Sequence, residues 1–309
     1  MTEFLQHLIN GLSVGTIYAL VALGYTMVYG VLKLINFAHG DVYMVGAFAG
    51  YYLAGTVTSE QATLGRASLI TLASMLICGA VGYVIERFAY RPLRHRARLT
   101  ALITAIGVSF LLEYGFQLDA IIKKPIEFPP GPSPRFFPVL LDLGDPFTFL
   151  DVTVPKFDVL AIAVAAALMV GLQLIVYRTR FGTAMRAVSF DSNVAGLMGI
   201  PVNRIISGTF VLGSMLAAAA GVINAGARHK IDPLFGLIPG LKAFVAAVLG
   251  GIGSVPGAMV GGLVLGLAEE FVVGYTASSY RDAIAFTILI LVLLLKPQGI
   301  LGRVTVEKV

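Results

Sequence analysis

Few side chains in this chain have the chemistry to hold or move a solute, and those few interrupt apolar runs. Lys33, Asn36, His39 and Asp41 cluster in VLKLINFAHGD, where one apolar stretch gives way to the next. Lys242 opens a short apolar run, and Glu269 and Glu270 close the following one. Glu113, in SFLLEYGF, is the most embedded acid. Ionisable groups at such depth are costly; they pair, reach for an interface or line a solute path. Two readings therefore stand. The first cluster either caps helix ends or lines the mouth of a path. Lys242 and Glu269 either pair with each other or snorkel apart. Asn36, Asp41, Lys242 and Glu269 are the path candidates.

Other chemistry is missing. The chain contains no G-x-x-x-x-G-K-[ST] phosphate cradle, no G-x-S-x-G and no H-E-x-x-H. A single cysteine, Cys78, lies in an apolar run, so no internal disulfide forms and Cys/His metal spacing is absent. With four histidines and almost no embedded acids, catalysis has few candidates. No regular arginine series of the voltage-sensor kind and no selectivity-filter signature occurs. The expectation is a transport protein that is not an enzyme and binds no metal.

The elements that must carry these residues are membrane helices. Of 309 residues, 57% are hydrophobic and 13% charged, about half the charge a soluble domain carries, and the mean hydropathy is +0.87. Apolar windows at about 8–32, 42–58, 67–88, 99–118, 158–177, 205–227, 240–255, 257–273 and 283–297 predict eight to ten transmembrane helices in an all-α polytopic protein, some of them broken. The N-terminal MTEFLQHLINGLSVG lacks a basic n-region and reads as the start of the first span. Glycines at small-xxx-small spacing, such as Gly11/Gly15 and Gly253/Gly257/Gly261, let helices pack closely in lipid. INFAHGDVYMVGA (35–47) and GSVPGAMVGG (253–262) look weakly alike, as broken helices at matching places in two halves would.

Three segments are basic: 87–98 with Arg87, Arg91, Arg94, Arg96 and Arg98; 178–204 with Arg178, Arg180, Arg186 and Arg204; and the tail beyond Lys296 with Arg303 and Lys308. Even numbers of spans separate them, so one topology places all three, including the C-terminus, in the cytoplasm. The +5 net charge is explained by this placement, and no nucleic-acid partner is expected. The loop 119–157 then lies outside; it carries Asp119, Glu127, Asp142, Asp145 and Asp151 and eight of the fourteen prolines. Its KKPIEFPPGPSPRFFP cannot be regular helix. It is either a dock for a soluble partner or a connector. Within 178–204, Thr183 is expected to cap a short helix through about Phe190, and Asp191 or Ser192 a second that ends at Gly199, before Pro201. The second helix bears Val194, Leu197 and Met198 on one face, suited either to the bilayer surface or to a groove on a cytoplasmic protein.

The stretches GTIYALVALGYTMVYGVLKLINFAHGDVYMVGA, IERFAYRPLR, ALITAIGVS, FGTAMRAVSFDSNVAGLMGI, GLKAFVAAVLGGIGSVPGAMVGGLVLGLAE and KPQGILGR resemble the permease subunits of ABC importers for branched-chain amino acids, specifically the H subunit of the Liv type. They cover nearly the whole chain except 119–157. The resemblance implies one permease domain over 1–309 in the bacterial cytoplasmic (inner) membrane. It implies a second homologous permease, two ATP-binding subunits that hold ATP and Mg, and a periplasmic substrate-binding protein; this chain itself would hold no cofactor. It further implies that 178–204 contains a cytoplasmic coupling helix, with Ala184, Arg186, Asp191, Ala195, Leu197 and Gly199 engaging an ATPase subunit. The expected cargo is a branched-chain or related hydrophobic amino acid. The alternatives are a permease for urea or short amides, an ion-coupled secondary transporter using an embedded acid such as Glu113, and a passive channel.

Overall fold

A computed structural model describes residues 2–55, 63–94, 96–122, 127–149 and 152–302. Asp151, Arg303 and Lys308, part of the charge pattern above, fall outside these, as do 123–126 of the proline-rich stretch. Each of the nine apolar windows folds as a helix: α1 (Thr2–Leu32), α2 (His39–Ala54), α3 (Leu64–Ile85), α4 (Arg98–Gln117), α5 (Lys156–Arg178), α8 (Val202–Arg228), α9 (Leu237–Gly250), α10 (Val255–Tyr275) and α11 (Arg281–Leu295). Between α5 and α8 lie two polar-flanked helices, α6 (Arg180–Phe190) and α7 (Ser192–Leu197). The protein is an all-α polytopic membrane protein in which, among the described residues, seven helical stretches are long and apolar enough to cross a membrane. The exceptions are α2 and α9, with 16 and 14 residues. At 1.5 Å per residue they reach about 24 and 21 Å, short of a hydrocarbon core of about 30 Å.

Glycine contacts fix the helix directions. A β-carbon on Gly11 would lie 2.9 Å from the Leu267 backbone and one on Gly15 2.9 Å from that of Leu263, so α1 and α10 run antiparallel. Gly79 and Gly82 meet Met215 and Ser214, making α3 antiparallel to α8. Gly46 and Gly50 meet Ala218 and Val222, making α2 parallel to α8. Gly250 meets Gly257 and Gly261 meets Ala246, making α9 antiparallel to α10. Gly226, late in α8, packs on Phe157 at the start of α5, and the Gln6 side chain exchanges two 2.9 Å hydrogen bonds with the Thr153 backbone just before α5. The start of α1 therefore sits where α8 ends. The set α8–α10 is thus an upside-down counterpart of α1–α3, the architecture of inverted-repeat transporters.

The short helices α2 and α9 occupy matching places in the two sets, and their first turns touch. A β-carbon on Gly40 would come within 2.8 Å of the Gly236 carbonyl oxygen and 3.0 Å of the Gly240 Cα. The sequence likeness had matched 35–47 with 253–262. The latter is instead the entry to α10, where Ser254 caps the Gly257 amide at 3.2 Å.

The same contacts sort the loops. Arg94 bonds Asn203, and the Ile300 and Leu301 amides bond the carbonyls of Leu249 and Gly250, so the described parts of the three basic segments gather at one end. The described part of 119–157 lies at the other and is not helical until α5 begins at Lys156. It carries strand β1 (Arg135–Phe136), paired with β4 (Lys230–Ile231), and a hairpin of β2 (Phe147–Phe149) and β3 (Val152–Val154).

Candidate functional site: a helical lever and a mid-bundle junction

The 178–204 segment is a pair of capped helices carrying an uncovered apolar knob. Thr179, not Thr183, caps α6, accepting from the Gly182 amide at 3.1 Å. Thr183 instead lies in the first turn and bonds back to the Thr179 carbonyl. The earlier cap leaves Gly182 where a β-carbon would strike the Ile175 and Val176 carbonyls, so α6 folds tightly back on α5. Asp191 caps α7 as expected, accepting from Asn193 and Val194 at 2.8 and 3.0 Å. Gly199, at φ +82°, turns the chain into Pro201 and α8.

The named residues divide by role. Ala195 is buried and Ala184 half-buried, anchoring the segment to the bundle. Arg186 points back, donating to the Val176 carbonyl and lying 5.6 Å from the Tyr177 ring. Leu197 is 87% exposed, and Phe190, Val194 and Met198 are exposed near it.

A strut joins this segment to α3. Beyond Ile85 the helix continues through a π-turn (Glu86–Tyr90) and a 3-10 turn (Arg91–Leu93), where a basic loop was expected. π-Turns inside helices often mark functional positions. Here the turn directs Glu86, fully buried, to an ion pair with Arg94 and a hydrogen bond from Ser207. Arg94 also donates to Asn203 at 2.5 Å. Burial draws the Arg94 guanidinium below its ordinary value, and Glu86 beside it pulls the other way. The strut thus grips the first turns of α8, immediately after the knob. Sequence reasoning missed Glu86, Asn203 and Ser207; the available signal was a lone acid at the edge of an arginine-rich turn.

The path candidates separate into two groups. Asn36 is buried and accepts from the Tyr90 hydroxyl at 2.9 Å, which ties the α1–α2 break to the π-turn. Asp41 is buried in the first turn of α2 and accepts from Ser109 of α4 at 2.5 Å. Glu113, one turn further along α4, is buried inside the protein beside it. Lys242 and Glu269 do pair, at 3.0 Å and buried. Asp282 adds a second carboxylate to Lys242 at 2.7 Å, and the Tyr18 hydroxyl donates to Glu269 at 3.0 Å. Arg281 meets Glu270 at 2.8 Å. Together these contacts bind α9, α10, α11 and α1. Among the described residues, no hydrogen bond or ion pair joins Asn36 or Asp41 to Lys242 or Glu269.

Comparison with known proteins matches residues 7–293 to the family described as branched-chain amino acid transport system / permease component. The chain is 45% identical to the high-affinity branched-chain amino acid transport system permease protein BraD of Pseudomonas aeruginosa, over 99% of this chain and 98% of that one. It is 41% identical to LivH of Escherichia coli K12 with the same coverage. LivM of Salmonella typhimurium, also a permease protein of such a system, is 24% identical over 92% of this chain and 68% of its own length.

Proposed function

This chain belongs to the branched-chain amino acid transport system permease family, and from that premise we propose that it is one permease subunit of an ATP-driven importer, carrying branched-chain or related hydrophobic amino acids into the cytoplasm. The basic end of the bundle faces the cytoplasm and the proline-rich loop the periplasm. All nine apolar helices lie within the inner membrane, with α2 and α9 as half-spans. Its partners are a second, homologous permease, two ATP-binding subunits that hold ATP and Mg, and a periplasmic substrate-binding protein.

The observation that carries this reading is the uncovered knob on 178–204. Phe190, Leu197 and Met198 are each more than three-quarters exposed on a polar-flanked helix pair outside the apolar bundle. Such a cluster on an otherwise capped and anchored segment fits a groove on a soluble subunit. Closure of the ATP-binding subunits would push the knob. Gly199 and Pro201 pass the movement to α8, and the Glu86–Arg94–Asn203 strut passes it to α3, opening one side of the bundle as the other closes.

Uptake of radiolabelled leucine tests the reading. It is expected to persist when ion gradients are collapsed and to stop when the partner ATPase is made hydrolysis-dead. The reverse pattern identifies an ion-coupled transporter and overturns the proposal.

A further inference from the structure

Among the described residues, five carboxylates are buried in the bundle: Asp41, Glu86, Glu113, Glu269 and Glu270. Three have a cation in contact, namely Arg94 for Glu86, Lys242 for Glu269 and Arg281 for Glu270. Asp41 and Glu113 have none. They lie within hydrogen-bonding reach of each other, Ser109 donates to Asp41, and one Glu113 oxygen is buried without any partner. Buried charge without a counter-charge is expensive, and a protein that matches every other buried carboxylate among the described residues leaves this pair without a cation.

The deficit borders a cavity of about 140 Å³ where the first turns of α2 and α9 meet, lined by Tyr25, Asp41, Ile106, Ser109, Gly236 and Gly240 among others. Phe37, Leu237 and Leu241 make the rest of its wall largely apolar. The start of α9 supplies a positive dipole end, and Asp41, in the first turn of α2, supplies the negative charge. A small solute with one ammonium, one carboxylate and a branched hydrocarbon matches all three features. We infer that Asp41, steadied by Ser109 and backed by Glu113, holds the ammonium group of the amino acid as it passes the junction of the two short helices. This inference rests on the function proposed above and adds to it a recognition point within the permease, separate from any binding protein.

The test uses the assembled importer in membranes and two probes, leucine and 4-methylpentanoate, which is leucine without its amino group. A reporter thiol is placed on the cavity wall by Ile106→Cys, and the native Cys78 is buried and does not interfere. Leucine should slow alkylation of that thiol, and 4-methylpentanoate should not. Adding Asp41→Asn should abolish protection by leucine and lower ATP-driven leucine uptake at least about tenfold, with the complex still assembled. Wild-type uptake by Asp41→Asn, or equal protection by both probes, overturns the inference; a pair that merely shares a proton gives the first of these. If Asp41→Asn fails to insert, Ser109→Ala takes its place. It should raise the leucine concentration needed for protection several-fold, and no change overturns the idea. Loss of ATP-driven uptake in the unmodified chain would count against the proposed function, not against this site.

Discussion

Removing the carboxylate at Glu86 separates the strut's stability from its mechanical role. Glu86 is fully buried and the Arg94 side chain is 11% exposed. Glu86→Ala therefore leaves a mostly buried guanidinium with only Asn203 to satisfy it, and the Ser207 hydroxyl keeps only the Asn203 carbonyl as acceptor. Breaking a buried pair from one side costs about 3–5 kcal/mol, roughly a hundredfold or more in a folding equilibrium. Replacing both partners by apolar groups of similar volume is often close to neutral. Glu86→Leu with Arg94→Met should accordingly recover most of the thermal stability that Glu86→Ala loses in detergent, while uptake stays impaired because nothing polar ties α3 to Asn203. The assays are thermal aggregation of the purified complex and ATP-driven leucine uptake at matched protein levels. If the double variant transports like the unmodified chain, the strut is a structural pair only and the transmission argument through α3 is wrong.

Two further outcomes follow from the lever. Leu197→Asp alters a side chain that is 87% exposed, so membrane insertion and thermal stability should stay unchanged while the ATP-binding subunits no longer co-purify; normal co-purification would show the knob is not the docking surface. Gly199 has open space beside it but a φ of +82°. A β-branched residue there is strained by about 1–2 kcal/mol whereas asparagine tolerates the conformation, so Gly199→Val should lower coupled ATPase activity and Gly199→Asn should largely keep it. Equal effects of the two would point to side-chain bulk rather than backbone geometry.

Hydropathy made most of the fold legible, because lipid imposes its demand along one dimension: each apolar window became a helix, and the ends shifted by a few residues. The Lys242–Glu269 pair was legible only as one of two readings, since a charge at that depth either pairs or snorkels to an interface. Asp282, the second carboxylate on Lys242, was not, because it sits at the start of α11, beside a short connecting turn, where an acid is unremarkable. The strut was hidden as well. Glu86 and Ser207 are 121 residues apart in the chain, and no periodicity signals a contact across that distance. The cap of α6 was misassigned because Thr179 and Thr183 are both suitable residues, and only the packing of Gly182 on α5 favours the earlier one. Gly-rich sequence likeness also misled the pairing of the two breaks: Gly40 meets Gly236 and Gly240, a contact set by helix direction rather than by shared words.

The account stands or falls on where the knob goes. A photo-activatable or thiol cross-linker at Leu197→Cys, in the assembled importer, measures this directly. The account predicts a cross-link to an ATP-binding subunit whose yield changes when ATP is added. A residue 197 that cross-links to no partner, or that impermeant reagents reach only from the periplasmic side, would contradict it.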